Sequence, residues 1–282
     1  MTALLWAVES HAQKGVPEPE EGGFESEVYK TIGDIELKMR IYKPEDWKAS
    51  DRRPAVVFFF GGGWKGGTPK QFDPHCRHLA EKGMVAMAAE YRIKNLHQST
   101  PTQSTMDAKS AMRWARANAE KLGIDPDRLA AGGGSAGGHL VAATATIGDT
   151  VNEASDDLSV SAVPNALILF NPALNLLLPK IKDSFGDELY ATFSAISPFQ
   201  HLTGDLPPTI IFHGTADEAV PYETIDAFTA KAMTLGADVH LVQYQDRPHG
   251  FFNFGRGDGK DYEDTVARMD QFLAKLGWLG NS

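Results

Sequence analysis

Short apolar runs of strand length, each closed by glycine or a polar turn, recur along this chain and limit most strictly what it can fold into. "PAVVFFF" ends in Gly61-Gly62-Gly63, and "RLAAGG" runs into Gly134-Ser135. "NALILFNP" ends in Asn171-Pro172 and "PPTIIFHG" in His213-Gly214. A run without polar alternation suits a strand covered on both faces, as in a parallel sheet between two helix layers. "MVAMAAEYR" is another such run, and "VHLVQY" reads as a last strand. Between the runs, helices are expected near 73–82, over 104–122 and 136–147, in "DAFTAKAMTLG", and over 261–276. In the second of these, Ala108, Ala111, Met112, Ala115, Ala119 and Leu122 recur at helical spacing. Ser104 and Asp107 resemble a capping box at its start and Gly123 a stop at its end.

Ahead of this pattern, "FESEVYKTI" and "IELKMRIYKP" alternate apolar and polar residues around Gly33-Asp34, as a hairpin does. Strands that alternate with helices after an opening hairpin predict an α/β fold, with a mostly parallel central sheet and helices on both faces. No repeat or linker divides the chain, so 24–282 is expected to form one domain. Residues 1–23 form an N-terminal extension with the acidic connector "GVPEPEEGG". "VNEASDDLSVSAVP" reads as a surface loop, and 173–205 as a short cap-like excursion above the sheet.

Composition removes several function classes. A 42% hydrophobic and 23% charged chain reads as an ordinary soluble globular protein. Its net charge of −10 repels phosphate backbones, which argues against a nucleic-acid partner. The single cysteine, Cys76, excludes a disulfide framework and a cysteine zinc site within one chain. His75, Cys76 and His78 lack a further ligand cluster and are expected on a helix surface, so no metal and no cofactor is anticipated. No apolar run approaches the roughly 18 residues of a membrane span. "MTALLWAV" has no preceding basic residues and is cut off by Glu9, which is not the pattern of a signal peptide. A cytoplasmic location is the default expectation; loss of an upstream signal would leave a secreted or periplasmic one open. The edge strands and the last helix leave a homodimer open too.

The chemistry points to Ser135, crowded by Gly132, Gly133, Gly134, Ala136, Gly137 and Gly138. Gly133-x-Ser135-x-Gly137 falls between an expected strand and an expected helix, the context in which this pattern makes a strained turn presenting a nucleophile. The residues two before and two after the serine lie against each other, so side chains there would clash. The free N–H groups at the start of the following helix favour an oxyanion close by. No lysine follows the glycines, which removes a phosphate loop.

A serine hydroxyl needs a base, and in such a sheet the order is serine, acid, histidine. His240 lies within the strand "VHLVQY", whereas His249 lies in the loop "DRPHGFFNF", so His249 is expected as base. Asp217, in the turn after "TIIFHG", is expected as acid, with Glu218 a solvated neighbour. Gly62 and Gly63, after the apolar run "PAVVFFF", are expected as oxyanion donors with the N–H of Ala136. Trp64 and Phe251 are the residues singled out for substrate contact; for Trp64 a core or rim role stands equally open, and for Phe251 core packing is the more common fate of such an aromatic. His139 and His213 are expected as structural hydrogen-bonders, and Asp107 as an anchor of its helix.

"GGGW" at 61–64, "EYR" at 90–92, "DAKSAMRW" at 107–114, "GGSAGG" at 133–138, "HGTAD" at 213–217 and "HGF" at 249–251 occur together and in this order. With them the chain, from about residue 50 onward, resembles the α/β-hydrolases. The likeness is to the hormone-sensitive-lipase-like and carbohydrate-acetyl-esterase-like serine carboxylesterases in particular. The resemblance implies an α/β-hydrolase fold with Ser135, Asp217 and His249 as triad and Gly62, Gly63 and Ala136 as oxyanion hole. It implies hydrolysis of short-chain acyl esters, acetylated carbohydrate or feruloyl esters among them. A serine peptidase of this fold and a non-catalytic binding protein are the alternatives. One departure stands out: the family usually has histidine before the three glycines, and this chain has Phe60.

Overall fold

Gly33 and Asp34 turn the chain between β1 (Glu25–Ile32) and β2 (Ile35–Tyr42), whose alternate residues Leu37, Met39 and Ile41 enter the core while Glu36 and Lys38 face out. The elements that follow are β3 (Arg53–Phe59), α1 (Asp73–Glu81), β4 (Val85–Ala89), α2 (Lys94–His97), α3 (Pro101–Ala117) and α4 (Ala119–Leu122). Next come β5 (Ile124–Gly134), α5 (Ala136–Thr146), β6 (Ala166–Phe170), α6 (Pro179–Phe185), α7 (Asp187–Tyr190) and α8 (Pro198–His201). The chain closes with β7 (Thr209–Gly214), α9 (Tyr222–Thr234), β8 (Val239–Tyr244) and α10 (Lys260–Lys275). This computed structural model describes residues 23–280. Apart from Gly23, the expected N-terminal extension and the reading of "MTALLWAV" lie outside the described residues.

The strands form one eight-stranded sheet in the order β1-β2-β4-β3-β5-β6-β7-β8. β1 and β2 pair antiparallel, β2 joins β4 antiparallel, and every pair from β4 to β8 is parallel. Each of β4, β6 and β7 is buried along its whole length, the consequence of helices on both faces. The parallel strands all end on one edge of the sheet, where the loops that carry chemistry collect. Among the described residues no helix is long and apolar enough to cross a membrane.

Two expectations need correction. α3 begins at Pro101, and its capping box is Thr100 with Gln103, not Ser104 with Asp107. Both patterns read polar-x-x-polar, but a proline is favoured at the first helical position, and Pro101 decides between them. Ser104 and Asp107 are fully buried instead. Asp107 accepts Lys30 Nζ at 2.7 Å and the Arg92 backbone N–H at 2.9 Å, with Arg92 Nη2 at 2.8 Å. The loop "VNEASDDLSVSAVP" runs over the surface as expected and is tied down by ion pairs. Glu153 reaches Lys30 at 2.9 Å and Arg92 at 2.7 Å, and Asp156 reaches Arg113 at 3.0 Å.

Secondly, His75 and Cys76 are core residues of α1 rather than surface ones, while His78 pairs with Asp270 at 2.8 Å. The His75 ring lies within 5.0–6.3 Å of the rings of Phe58, Phe72, Phe170, Phe252 and Tyr262, and neither nitrogen has a hydrogen-bond partner. Burial, with His78 nearby, depresses its pKa from 6.5 to about 3. Burial likewise takes His139 down to about 4, against the pull of its hydrogen bond to the Ile196 carbonyl. Both rings are therefore neutral when folded and protonate near 6.5 when unfolded, so between these limits the unfolded chain holds more protons. Stability from each is full above about pH 6.5 and lost as pH falls, at about 1.4 kcal/mol per pH unit. We expect His75→Phe to flatten the acid limb of a thermal midpoint against pH curve; an unchanged slope between pH 4 and 6.5 would refute this account.

Candidate active site

The β5–α5 corner is built to be narrow. A Cβ on Gly133 would lie 2.5 Å from the Gly137 carbonyl oxygen, and one on Gly137 would collide with the Phe59 carbonyl. Neither position tolerates a side chain, which is why small residues surround the serine. Ser135 itself sits at φ 53°, ψ −114°, a conformation rarely adopted by non-glycine residues. The turn is held from both sides: Ser135 N–H donates to the Phe170 carbonyl at 2.9 Å, and its own carbonyl accepts from His139 and Ala173. The strain has a support at each end.

Ser135 is half-buried, and its Oγ lies 2.9 Å from His249 Nε2. His249 Nδ1 lies 2.7 Å from Asp217 Oδ2. A carboxylate can only accept, so Nδ1 carries the proton and Nε2 presents its lone pair to the serine hydroxyl. The Asp217 side chain is fully buried, and its other oxygen accepts the backbone N–H groups of Ala219 at 2.9 Å and Val220 at 2.8 Å. Those two bonds fix the carboxylate plane. Glu218 stays outside this arrangement; its backbone carbonyl accepts from Lys180 of α6. His240 faces outward, 3.2 Å from Asp238.

His213, at the end of β7, lies 3.5 Å from the same Asp217 oxygen. Its Nε2–H donates to the Val220 carbonyl at 2.9 Å, and burial holds its pKa below the usual value. It therefore stands beside Asp217 as a neutral ring.

Gly62 and Gly63 lie in a tightly wound loop between β3 and the 3₁₀ turn Pro69–Phe72. The Gly62 carbonyl accepts from Lys65 and Gly66, both at 3.1 Å. The Gly61 carbonyl packs so closely on Gly67 that a Cβ there would collide with it. In a trans peptide the N–H points opposite to the preceding carbonyl, so the N–H groups of Gly62 and Gly63 both turn away from the loop interior. The loop borders the serine: a Cβ on Gly61 would lie 3.4 Å from Ser135 Cβ. Ala136, first residue of α5, has an N–H with no intrahelical acceptor by its position.

Both residues singled out for substrate contact are buried, which fits the packing alternative left open for each. Trp64 is only 4% exposed, donates from Nε1 to His139 Nδ1 at 3.2 Å, and lies edge-on to Phe185 of α6 at 5.8 Å. It braces the loop from inside and offers no open face. Phe251 is 2% exposed and packs on Tyr244 at 4.6 Å. His139 completes the bracing, with Nε2 2.8 Å from the Ile196 carbonyl.

Three amides that the sequence reading passed over also meet here. Asn171, fully buried at φ 35°, accepts Gly250 N–H at 2.9 Å and places Nδ2 3.5 Å from His249 Nε2. Gln71 and Asn253 join it, as described below. The one available signal was Asn171 itself: a polar residue directly after a wholly apolar strand, ahead of proline.

Comparisons with known proteins find a matching family and esterases among the relatives. Residues 39–170 match the BD-FAE family. A probable carboxylic ester hydrolase, LipM of Mycobacterium tuberculosis, is 27% identical over 252 residues, 84% of this chain and 57% of its own length. Esterase LipC of the same organism is 28% identical over 250 residues, 82% of this chain and 61% of its own. The chain thus spans less than two thirds of these curated relatives. Thermogutta terrifontis esterase 2 matches end to end: its apo form is 46% identical with a TM-score of 0.87, covering 94% of this chain and 98% of that one. That esterase has also been solved with propionate bound and phosphorylated by paraoxon. With the fold, the strained serine turn and this likeness together, the chain belongs to the carboxylesterases of the α/β-hydrolase superfamily.

Proposed function

We propose that the protein is a serine carboxylesterase acting on short-chain acyl esters through a covalent acyl-enzyme. The observation that carries this reading is the hydrogen-bonded line from Asp217 through His249 to Ser135, at the edge where the parallel strands end. Ser135 Oγ attacks the ester carbonyl carbon while its proton passes to His249 Nε2. The buried Asp217 carboxylate stabilises the imidazolium that results. The N–H groups of Gly62, Gly63 and Ala136 receive the oxyanion. The proton then leaves with the alcohol, and water activated by His249 releases the acid.

Chain length follows from the small cap. α6, α7 and α8 are short, and Phe185 packs edge-on to Trp64 at 5.8 Å. With Trp64 turned inward, its ring presents no stacking face to a sugar, and simple short-chain esters are the class we prefer. The Thermogutta esterase, with propionate bound and with paraoxon on it, suggests the test. Paraoxon is expected to label one residue, and peptide mass mapping should place the adduct on Ser135. p-Nitrophenyl acetate and butyrate should exceed the decanoate in kcat/KM by at least about tenfold, a difference of about 1.4 kcal/mol in transition-state binding. No adduct, or an adduct elsewhere, would overturn the reading; a flat chain-length profile would overturn the short-chain part alone.

A further inference from the structure

Phe60 stands directly before the three glycines, and its ring stacks on Tyr91 at 4.1 Å, buried in the core. Tyr91 Oη donates to the Phe60 carbonyl at 2.7 Å, which fixes the start of the loop. Phe60 has no polar side-chain atom with which to hold the glycines that follow. Another residue does so. Gly61 N–H donates to Gln71 Oε1 at 2.6 Å, and Gln71 Nε2 donates to Asn253 Oδ1 at 2.8 Å. Asn253 Nδ2 in turn donates to the Gly250 carbonyl at 2.8 Å, and Gly250 N–H donates to Asn171.

This line of amides has only one possible sense. Gly61 offers a donor at one end and the Gly250 carbonyl an acceptor at the other, so neither amide can flip without setting like against like. Keeping both bonds at position 71 takes a side chain with both a donor and an acceptor on one planar group. Its base is firm: Gln71 lies in the 3₁₀ turn Pro69–Phe72, and the neighbouring Phe72 ring, fully buried, stacks on Phe58 at 4.8 Å. The two ends are the residue before the oxyanion glycines and the residue after His249.

Resting on the esterase reading above, we propose that Gln71 and Asn253 are positioning residues forming an amide bridge that sets the oxyanion loop in register with the histidine loop. Neither touches substrate. Their effect is on where the oxyanion donors lie relative to the base, which matters once the carbonyl becomes tetrahedral. Displacement of such groups by about 1 Å costs on the order of 100-fold in rate and little in ground-state binding.

The test uses the whole protein, with active sites counted by paraoxon titration so that misfolded molecules drop out. Gln71→Ala removes both bonds, Gln71→Glu keeps the acceptor for Gly61 but loses the donor to Asn253, and Asn253→Ala cuts the bridge from the other loop. Each is expected to lower kcat per titrated site on p-nitrophenyl butyrate by about 10- to 100-fold with KM within about twofold. The inhibition constant of a trifluoromethyl ketone, which mimics the tetrahedral oxyanion, should rise by the same factor. The Gln71→Ala/Asn253→Ala double variant should be no slower than the worse single one, since both break one bridge. Values of kcat within twofold of wild type, an unchanged ketone constant, or additive losses in the double variant would overturn the proposal. If Gln71→Ala fails to fold, Gln71→Glu and Asn253→Ala decide it. A wild type that neither hydrolyses esters nor takes up paraoxon would count against the esterase reading instead.

Discussion

Ser135→Ala is expected to lower kcat/KM on p-nitrophenyl butyrate by about 10⁴-fold or more while leaving the fold in place. The Oγ atom makes one hydrogen bond, to His249, and the backbone bonds that hold the turn involve only the Ser135 N–H and carbonyl. Alanine keeps both, and it keeps the same φ 53° strain. The thermal midpoint should therefore stay within about 2 °C, because the loss is one partly exposed hydrogen bond worth about 1 kcal/mol. What disappears is the atom that bonds to the acyl group. Residual activity would report only the oxyanion donors and general water attack. A variant retaining more than about a hundredth of wild-type turnover would sink the nucleophile assignment, because positioning alone leaves far less.

Removing the Asp107 carboxylate should produce the largest loss of stability of any single side-chain truncation at a polar site described above. Its side chain is wholly buried between Lys30 and Arg92, whose own side chains are 5% and 6% exposed. In Asp107→Ala the two cations keep only Glu153, itself about a fifth exposed, as counter-charge. An uncompensated buried charge of this kind costs about 3–5 kcal/mol, which for a chain of this size corresponds to a midpoint lower by about 10 °C. Asp107→Asn should lose less, since the amide oxygen still accepts from the Arg92 backbone. The damage should also reach turnover, because Arg92 follows Tyr91, which holds the Phe60 carbonyl. Equal midpoints for wild type and Asp107→Ala, by calorimetry at pH 7, would show that Glu153 alone neutralises the pair.

Most of the sheet could be read from the chain because its signals are local. A run such as "ALILF" between turn residues is a buried strand whatever surrounds it, and β6 is Ala166–Phe170. The glycines around Ser135 were likewise legible, since their necessity is steric and confined to one turn. What the sequence left open or misplaced has a different origin. Whether His75 or Trp64 is exposed depends on neighbours far away in sequence, on Phe170 and Phe252 for one and His139 and Phe185 for the other. Amphipathic spacing placed α1 but could not say that an imidazole would be sealed among aromatic rings. Gln71 and Asn253 were missed for the same reason: an amide is unremarkable until the fold shows both of its ends occupied.

The strand order carries a consequence for assembly. Counting along the chain, the serine corner is finished when β5 and α5 are in place, but Asp217 follows β7 and His249 follows β8 at the far edge. No partly folded form that lacks the last strand can hold all three side chains together, however native its centre. Such a form leaves the β7 edge unpaired, and an open strand that the native fold buries along its whole length is a template for association with another chain. The docking of β8 therefore closes the adhesive edge and delivers the histidine in a single event, and recovery of turnover during refolding becomes a clock for the last step of sheet closure.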